Sequence, residues 1–311
     1  MKINALQDLF AESITKSASK QTYYTIGFLV DRERVTDAYR AYAYFRWVDD
    51  TLDEGFVSTA KRLDFLERQK SLLDSCYRGS FPQNTTMEEN MLIELARQDH
   101  GNNSGLQSYL RNMMQVMDFD AMRRGKLISQ AELNEYTRWL ATAVTEAMHY
   151  FIGHNSYAPH DETRYLAVSG AHITHMLRDT FDDLEAGYYN IPREVLEANQ
   201  IGPRDIRSKA YCAWVKSRVQ LARSCFQTGR DYLARVGERR CQLAGLAYTA
   251  RFEWMLDTIE QEDYCLRPDY SERKSFGAGI QMGWSILSSV LNTHRMKSLP
   301  QPVISQSLRE L

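Results

Sequence analysis

Apolar and aromatic positions along this chain recur every three or four residues in runs too long for strands, and period-two alternation is nearly absent. Between Arg34 and Glu54 the positions Val35, Ala38, Tyr42, Phe45, Val48 and Leu52 keep this period, which predicts a helix ending at Gly55. The same reading predicts helices at about 4–16, 58–77, 87–99, 105–124, 129–152, 162–187, 192–199, 206–235, 238–262 and 275–293. A polar and aromatic turn is expected at 17–24, and a Gly, Pro and Asn loop at 78–86. Ser129 followed by Glu132 has the spacing of a capping box, and Pro192 suits a helix start. Nothing in the middle reads as a linker. The expectation is one all-α domain over residues 1–295, a helical bundle, followed by a frayed tail at 296–311.

Composition agrees with helices. Seven prolines and 16 glycines are few for 311 residues, and a 43% hydrophobic, 25% charged chain can bury an ordinary globular core. A formal net charge of −2 gives no reason to expect nucleic acid as a partner. The five cysteines are far apart and include no CxxC, so neither a disulfide framework nor a zinc knuckle is suggested, and reduced thiols in a cytoplasmic protein are expected. The first 16 residues lack the apolar core of a signal peptide, and the stretch Phe276 to Leu291 carries too many polar and small residues to span a bilayer. A greasy substrate could still bring the protein to a membrane surface as a peripheral visitor.

Two acidic rows change the picture from fold to chemistry. Asp49 and Asp53 are four apart near the end of one predicted helix, and Asp179 and Asp183 are four apart on another, with Asp182 between them. Each row repels itself on an otherwise apolar helix, and the usual neutralising partner is a divalent cation. Mg²⁺ completes its octahedron with water and phosphate oxygens, so a diphosphate is the natural ligand, and metal ions can stabilise its departure from an allylic carbon. The 35 Phe, Tyr and Trp side chains include enough π faces to shelter a carbocation, although each alone reads first as core packing. Each row has an arginine just upstream, Arg46 and Arg178. Tyr42 and Phe45 share the face of Asp49 and Asp53, and His172 and His175 continue the second row one and two turns back. Those imidazoles could ligate metal, move a proton, or be hydrogen-bonded pocket residues.

With these residues in view, the chain resembles the squalene and phytoene synthases, all-α class I prenyl-diphosphate enzymes, from about Ser17 to Leu291. The likeness rests on Ser19-Lys-Gln-Thr-Tyr-Tyr24, Arg46-Trp-Val-Asp-Asp-Thr-Leu-Asp53, and Leu177-Arg-Asp-Thr-Phe-Asp-Asp183 with Gly187 and Ile191-Pro192. It implies an isoprenoid-synthase bundle with a central cavity. It also implies Mg²⁺ on Asp49, Asp53, Asp179 and Asp183, diphosphate contacts from Lys20, Arg46, Arg178 and Arg273, and a catalytic role for Tyr136. The family default is head-to-head condensation of two prenyl diphosphates.

Departures cluster on the site. Thr142 and Thr145 stand where the family has glycines, which implies a shorter or reshaped cavity. His172 and His175 replace the usual amides, and Tyr188 and Asn190 replace the common Arg and Tyr. They bring in a second reading, transfer of one shorter prenyl group to a different acceptor, an aromatic one among the options, with His172 or His175 as base. A third is a helical binding protein without catalysis.

Overall fold

The computed structural model describes residues 2–54, 58–101, 103–154 and 156–270, and among them it forms twelve α-helices and one short 3-10 turn, with no strand. The helices are α1 (Lys2–Ala18), α2 (Lys20–Leu29), α3 (Val35–Glu54), α4 (Thr59–Tyr77), α5 (Met87–Gln98) and α6 (Gly105–Arg123). There follow α7 (Gln130–Phe151), α8 (Leu166–Arg178), α9 (Thr180–Ala186), α10 (Arg193–Asn199), α11 (Lys209–Arg235) and α12 (Arg239–Gln261). The expected helix at 275–293, the tail at 296–311 and Arg273 lie outside the described residues.

The chain divides into two compact units: Met1–Met122 with Thr142–Asn155, and Arg123–Ala141 with Ser156 onward. No linker separates them in sequence, because the long helix α7 gives residues to both.

In the first unit α3 is the central helix, with Ala41, Ala43, Tyr44 and Val48 at most 2% exposed. Its polar needs are met internally. The buried Arg40 pairs with Asp37 at 2.8 Å and Asp8 of α1 at 2.6 Å. Tyr44 donates to Gln69 at 3.0 Å, and Gln69 donates to the buried Glu89 carboxylate at 3.0 Å, tying α3 to α4 and α5. Glu89 also completes a capping box with Thr86, which starts α5.

In the second unit α8 is the central helix. Every residue from Leu166 to Leu177 is buried except His175, so this helix is covered on nearly all sides, with α11 and α12 packed against it. The approach to α11 is close: Gly229 sits over the backbone of Ala167, and Gly170 sits over Ala222, Cys225 and Phe226. At the start of α11 the free thiol of Cys212 has its sulfur 3.1 Å from that of Cys265.

The structure corrects two expected elements. Residues 17–24 are mostly helix, because Ser19 caps α2 by accepting from the Thr22 amide at 3.2 Å. Residues 162–187 are not one helix: α8 starts only at Leu166, and the run breaks at Asp179, whose φ of −91° and ψ of 7° leave the helical region. The Thr180 hydroxyl donates to the Met176 and Leu177 carbonyls at 2.9 and 3.0 Å, a side-chain bond of the kind that bends helices. The capping box at Ser129 and Glu132 forms as expected, with Ser129 N–H to Glu132 at 2.7 Å and Glu132 N–H to Ser129 at 3.2 Å.

Candidate active site

The first acidic row lies on the last turns of α3. Arg46 reaches back over it, donating to Asp49 at 3.3 Å and gripping Asp50 through Nε at 3.1 Å and through Nη2. Burial and the neighbouring Asp53 push the Asp49 carboxyl up to about 6, with Asp120 of α6 and Asp50 adding to the repulsion and Arg46 opposing it. This is a carboxylate short of positive charge. On the same helix Phe45 is buried and Tyr42 half-buried, while Lys20, the first residue of α2, is exposed. On α7, Thr142 is half-buried. Thr145 is 1% exposed, and its hydroxyl has no hydrogen-bond partner.

The second row is wired differently. Arg178 clamps Asp179 with two hydrogen bonds of 2.5 Å, and His175 Nε2 lies 3.2 Å from the same carboxylate. Beyond the bend at Asp179, Gly187 ends α9 with a φ of +88°, a conformation that favours glycine, and turns the chain so that Asn190 returns to Asp183. Asn190 donates to Asp183 at 2.6 Å and accepts from the buried Arg123 at 2.9 Å. The Arg123 guanidinium sits 4.9 Å over the Tyr136 ring and 4.8 Å over the Tyr188 ring. Tyr136 in turn meets the His172 ring edge to face, with centroids 4.9 Å apart. A continuous line therefore runs from Asp183 through Asn190, Arg123 and Tyr136 to His172. Sequence reasoning missed Arg123. Its one signal was the basic run Arg123-Arg-Gly-Lys126, which reads equally as a solvated loop.

The two histidines separate in character. His175 is half-buried and tied to Asp179. His172 is 5% exposed, its Nε2 has no hydrogen-bond partner, and burial holds its pKa well below the usual histidine value, with His175, Arg123 and Arg218 pushing the same way. It is a neutral imidazole at physiological pH. Because the folded form resists a proton that the unfolded chain accepts near pH 6.5, stability is fully present above that value. It is lost as pH falls further, by up to about 1.4 kcal/mol per pH unit. Urea unfolding at pH 7.5 and 5.5 should show this loss in the wild type and a smaller one in His172→Gln. Equal losses in both would place the pH dependence elsewhere.

Among the described residues no three His, Cys, Asp or Glu side chains converge on a point that a metal could occupy. Within each unit the aspartate pair offers the hard oxygen donors that suit a divalent cation, and on α3 one of the two carboxyls is raised by its own neighbours.

The sequence model of the squalene/phytoene synthase family matches residues 15–275. The chain belongs to that family. Membership makes it a prenyltransferase by class. Two solved structures share the fold of this squalene/phytoene synthase family member. The squalene synthase HpnC from Alicyclobacillus acidocaldarius aligns at TM-score 0.66 and 18% identity over 84% of this chain and 95% of that one. A dehydrosqualene synthase in complex with ligand aligns at 0.68 and 15% identity over 94% and 98%. No curated protein sequence matches. No described helix is long and apolar enough to cross a membrane.

Proposed function

We infer that the protein ionises an allylic prenyl diphosphate in a Mg²⁺-dependent reaction and joins the resulting carbocation to a second substrate. The observation that carries this reading is the pair of aspartate rows on α3 and at the α8–α9 bend, within a chain of this family. The carboxylates that would hold Mg²⁺ are Asp49 and Asp53 in the first unit and Asp179 and Asp183 in the second. Mg²⁺ bound there would neutralise the departing diphosphate. Arg46 and Arg178 already lie against these carboxylates, and together with Lys20 they are the cations that would orient the diphosphate. Tyr136 and Tyr188 present π faces, and Arg123 and Asn190 hold the first of these and Asp183 in place.

By family default the second substrate is another prenyl diphosphate, joined head to head. A second reading, transfer of one shorter prenyl group to a polar acceptor, is favoured by a buried group without a partner, the His172 Nε2. A hydrocarbon tail would leave it unsatisfied, at a cost of about 1–3 kcal/mol. His172, neutral and beside Tyr136, would hydrogen-bond such an acceptor through Nε2, and His175 would be the alternative proton carrier.

The test is incubation with allylic diphosphates from C5 to C20, with and without Mg²⁺ and with and without an aromatic acceptor. Mg²⁺-dependent pyrophosphate release is expected. Its absence with every substrate would sink the prenyl-transfer reading. A C30 or C40 hydrocarbon from farnesyl or geranylgeranyl diphosphate alone, at an ordinary turnover rate, would decide for the family default and against a separate acceptor.

A further inference from the structure

Four arginines in the described chain are deeply buried, and three of them have obvious partners. Arg40 pairs with two aspartates, Arg123 bonds Asn190 between two tyrosine rings, and Arg164 donates to the Pro159 carbonyl and the Tyr232 hydroxyl. Arg218, on α11, is the exception. It is 6% exposed, its Nη2 has no hydrogen-bond partner, and among the described residues no carboxylate pairs with it. Burial pushes its pKa down only to about 10, so it keeps its charge at neutral pH. A buried, unpaired charge costs several kcal/mol, and a fold that tolerates one commonly does so for a ligand.

Two further unpartnered groups belong to the same neighbourhood. Trp214 Nε1, one turn earlier on the same face of α11, is a buried donor without an acceptor. His172 Nε2 is the other, on α8. The register of the two helices brings them together. Ala167 lies against Gly229 and Gly170 against Cys225 and Ala222, so the next turn of α8, holding His172, runs alongside the turn of α11 holding Arg218. The Arg218 charge acts on His172 in accord with that placement.

We propose that Arg218, Trp214 and His172 form a buried subsite for the carboxylate of an acceptor substrate. This rests on the second reading above, in which the acceptor is not a prenyl diphosphate. One guanidinium charge and two neutral groups match a monoanion, and the planar fork of the guanidinium matches a carboxylate. A diphosphate, with its several charges, would be left under-neutralised there. Tyr211 and Trp214 pair on the same helix with ring centroids 5.4 Å apart, so an aryl carboxylate is the probe of choice.

The experiment is calorimetric titration of the full chain, in Mg²⁺ buffer, with benzoate, with its neutral counterpart benzamide and with inorganic pyrophosphate. Saturable benzoate binding at least about tenfold tighter than benzamide is expected, with Arg218→Gln losing that preference and Arg218→Lys keeping part of it. Equal affinity for benzoate and benzamide in the wild type overturns the proposal without recourse to a variant, as does an absence of saturable benzoate binding. Undiminished benzoate affinity in folded Arg218→Gln overturns it too. Competition of pyrophosphate with benzoate, lost in Arg218→Gln, would reassign the subsite to a diphosphate and overturn it as well. Pyrophosphate release from geranyl diphosphate alone tests prenyl transfer separately, so failure of that reaction and failure of the subsite are told apart.

Discussion

Asp49→Asn and Asp179→Asn should each slow Mg²⁺-dependent pyrophosphate release by about a hundredfold to ten-thousandfold, the factor that several kcal/mol of charge stabilisation represents. Stability should move in different directions at the two positions, which separates a catalytic loss from a folding one. Asp49 is held against repulsion from Asp53, Asp120 and Asp50, so a neutral amide there should leave the fold as stable or more so. Asp179 instead loses its bonds to Arg178 and its contact with His175, a modest penalty for a partly exposed group. Asp182, between Asp179 and Asp183 but exposed, is the control. Asp182→Asn removes the same charge from the same segment and should leave the rate within about twofold, since an exposed charge is screened by water and salt. Continuous pyrophosphate assays alongside thermal melts would decide. A loss below about tenfold at both Asp49 and Asp179, or an equal loss at Asp182, would make the rows structural.

The rows were legible because a four-residue spacing survives folding: Asp49 and Asp53 lie on one helix, and Asp179 and Asp183 keep a 2.8 Å backbone bond from Asp183 N–H to the Asp179 carbonyl across the bend. The helices themselves were legible from their apolar period, most of them to within a few residues. What was not legible depends on side chains meeting through the fold. The helix at Lys20 went unseen because Ser19 caps it through a Thr22 amide, without the Glu or Gln that marks a capping box. The break at Asp179 coincides with the Thr180 hydroxyl bonding back to the Met176 and Leu177 carbonyls, a bond that sequence alone does not show. Arg123 and Arg218 look like ordinary surface arginines in a charged helix, and only packing shows that each is buried. Asn190 was visible as a departure from the family pattern, yet its bridge from Arg123 to Asp183 required the turn at Gly187. The two compact units left no trace in composition, because α7 contributes to both.

Gly229→Ala should destabilise the protein by about 2 kcal/mol, a large share of an ordinary folding free energy, although alanine is the better helix former by about 1 kcal/mol. The reason is what the new methyl would meet. A Cβ on Gly229 would lie 2.8 Å from the Ala167 Cα and nitrogen and 2.7 Å from its Cβ, so α8 and α11 would have to part. Backbone cannot rotate out of the way. At Gly245 the same addition meets only the Leu233 side chain, at 2.6 Å, and that side chain can change rotamer, so Gly245→Ala should cost less than about 1 kcal/mol. Urea unfolding of the two variants makes the comparison, and equal costs would mean that the close approach of α8 to α11 is not what Gly229 serves. The consequence reaches the candidate site, because α8 carries His172 and His175 and leads into Asp179. If α8 is displaced as expected, Gly229→Ala should lower activity at temperatures where the variant is still folded, through His172 and the Arg178 clamp on Asp179, while Gly245→Ala should not.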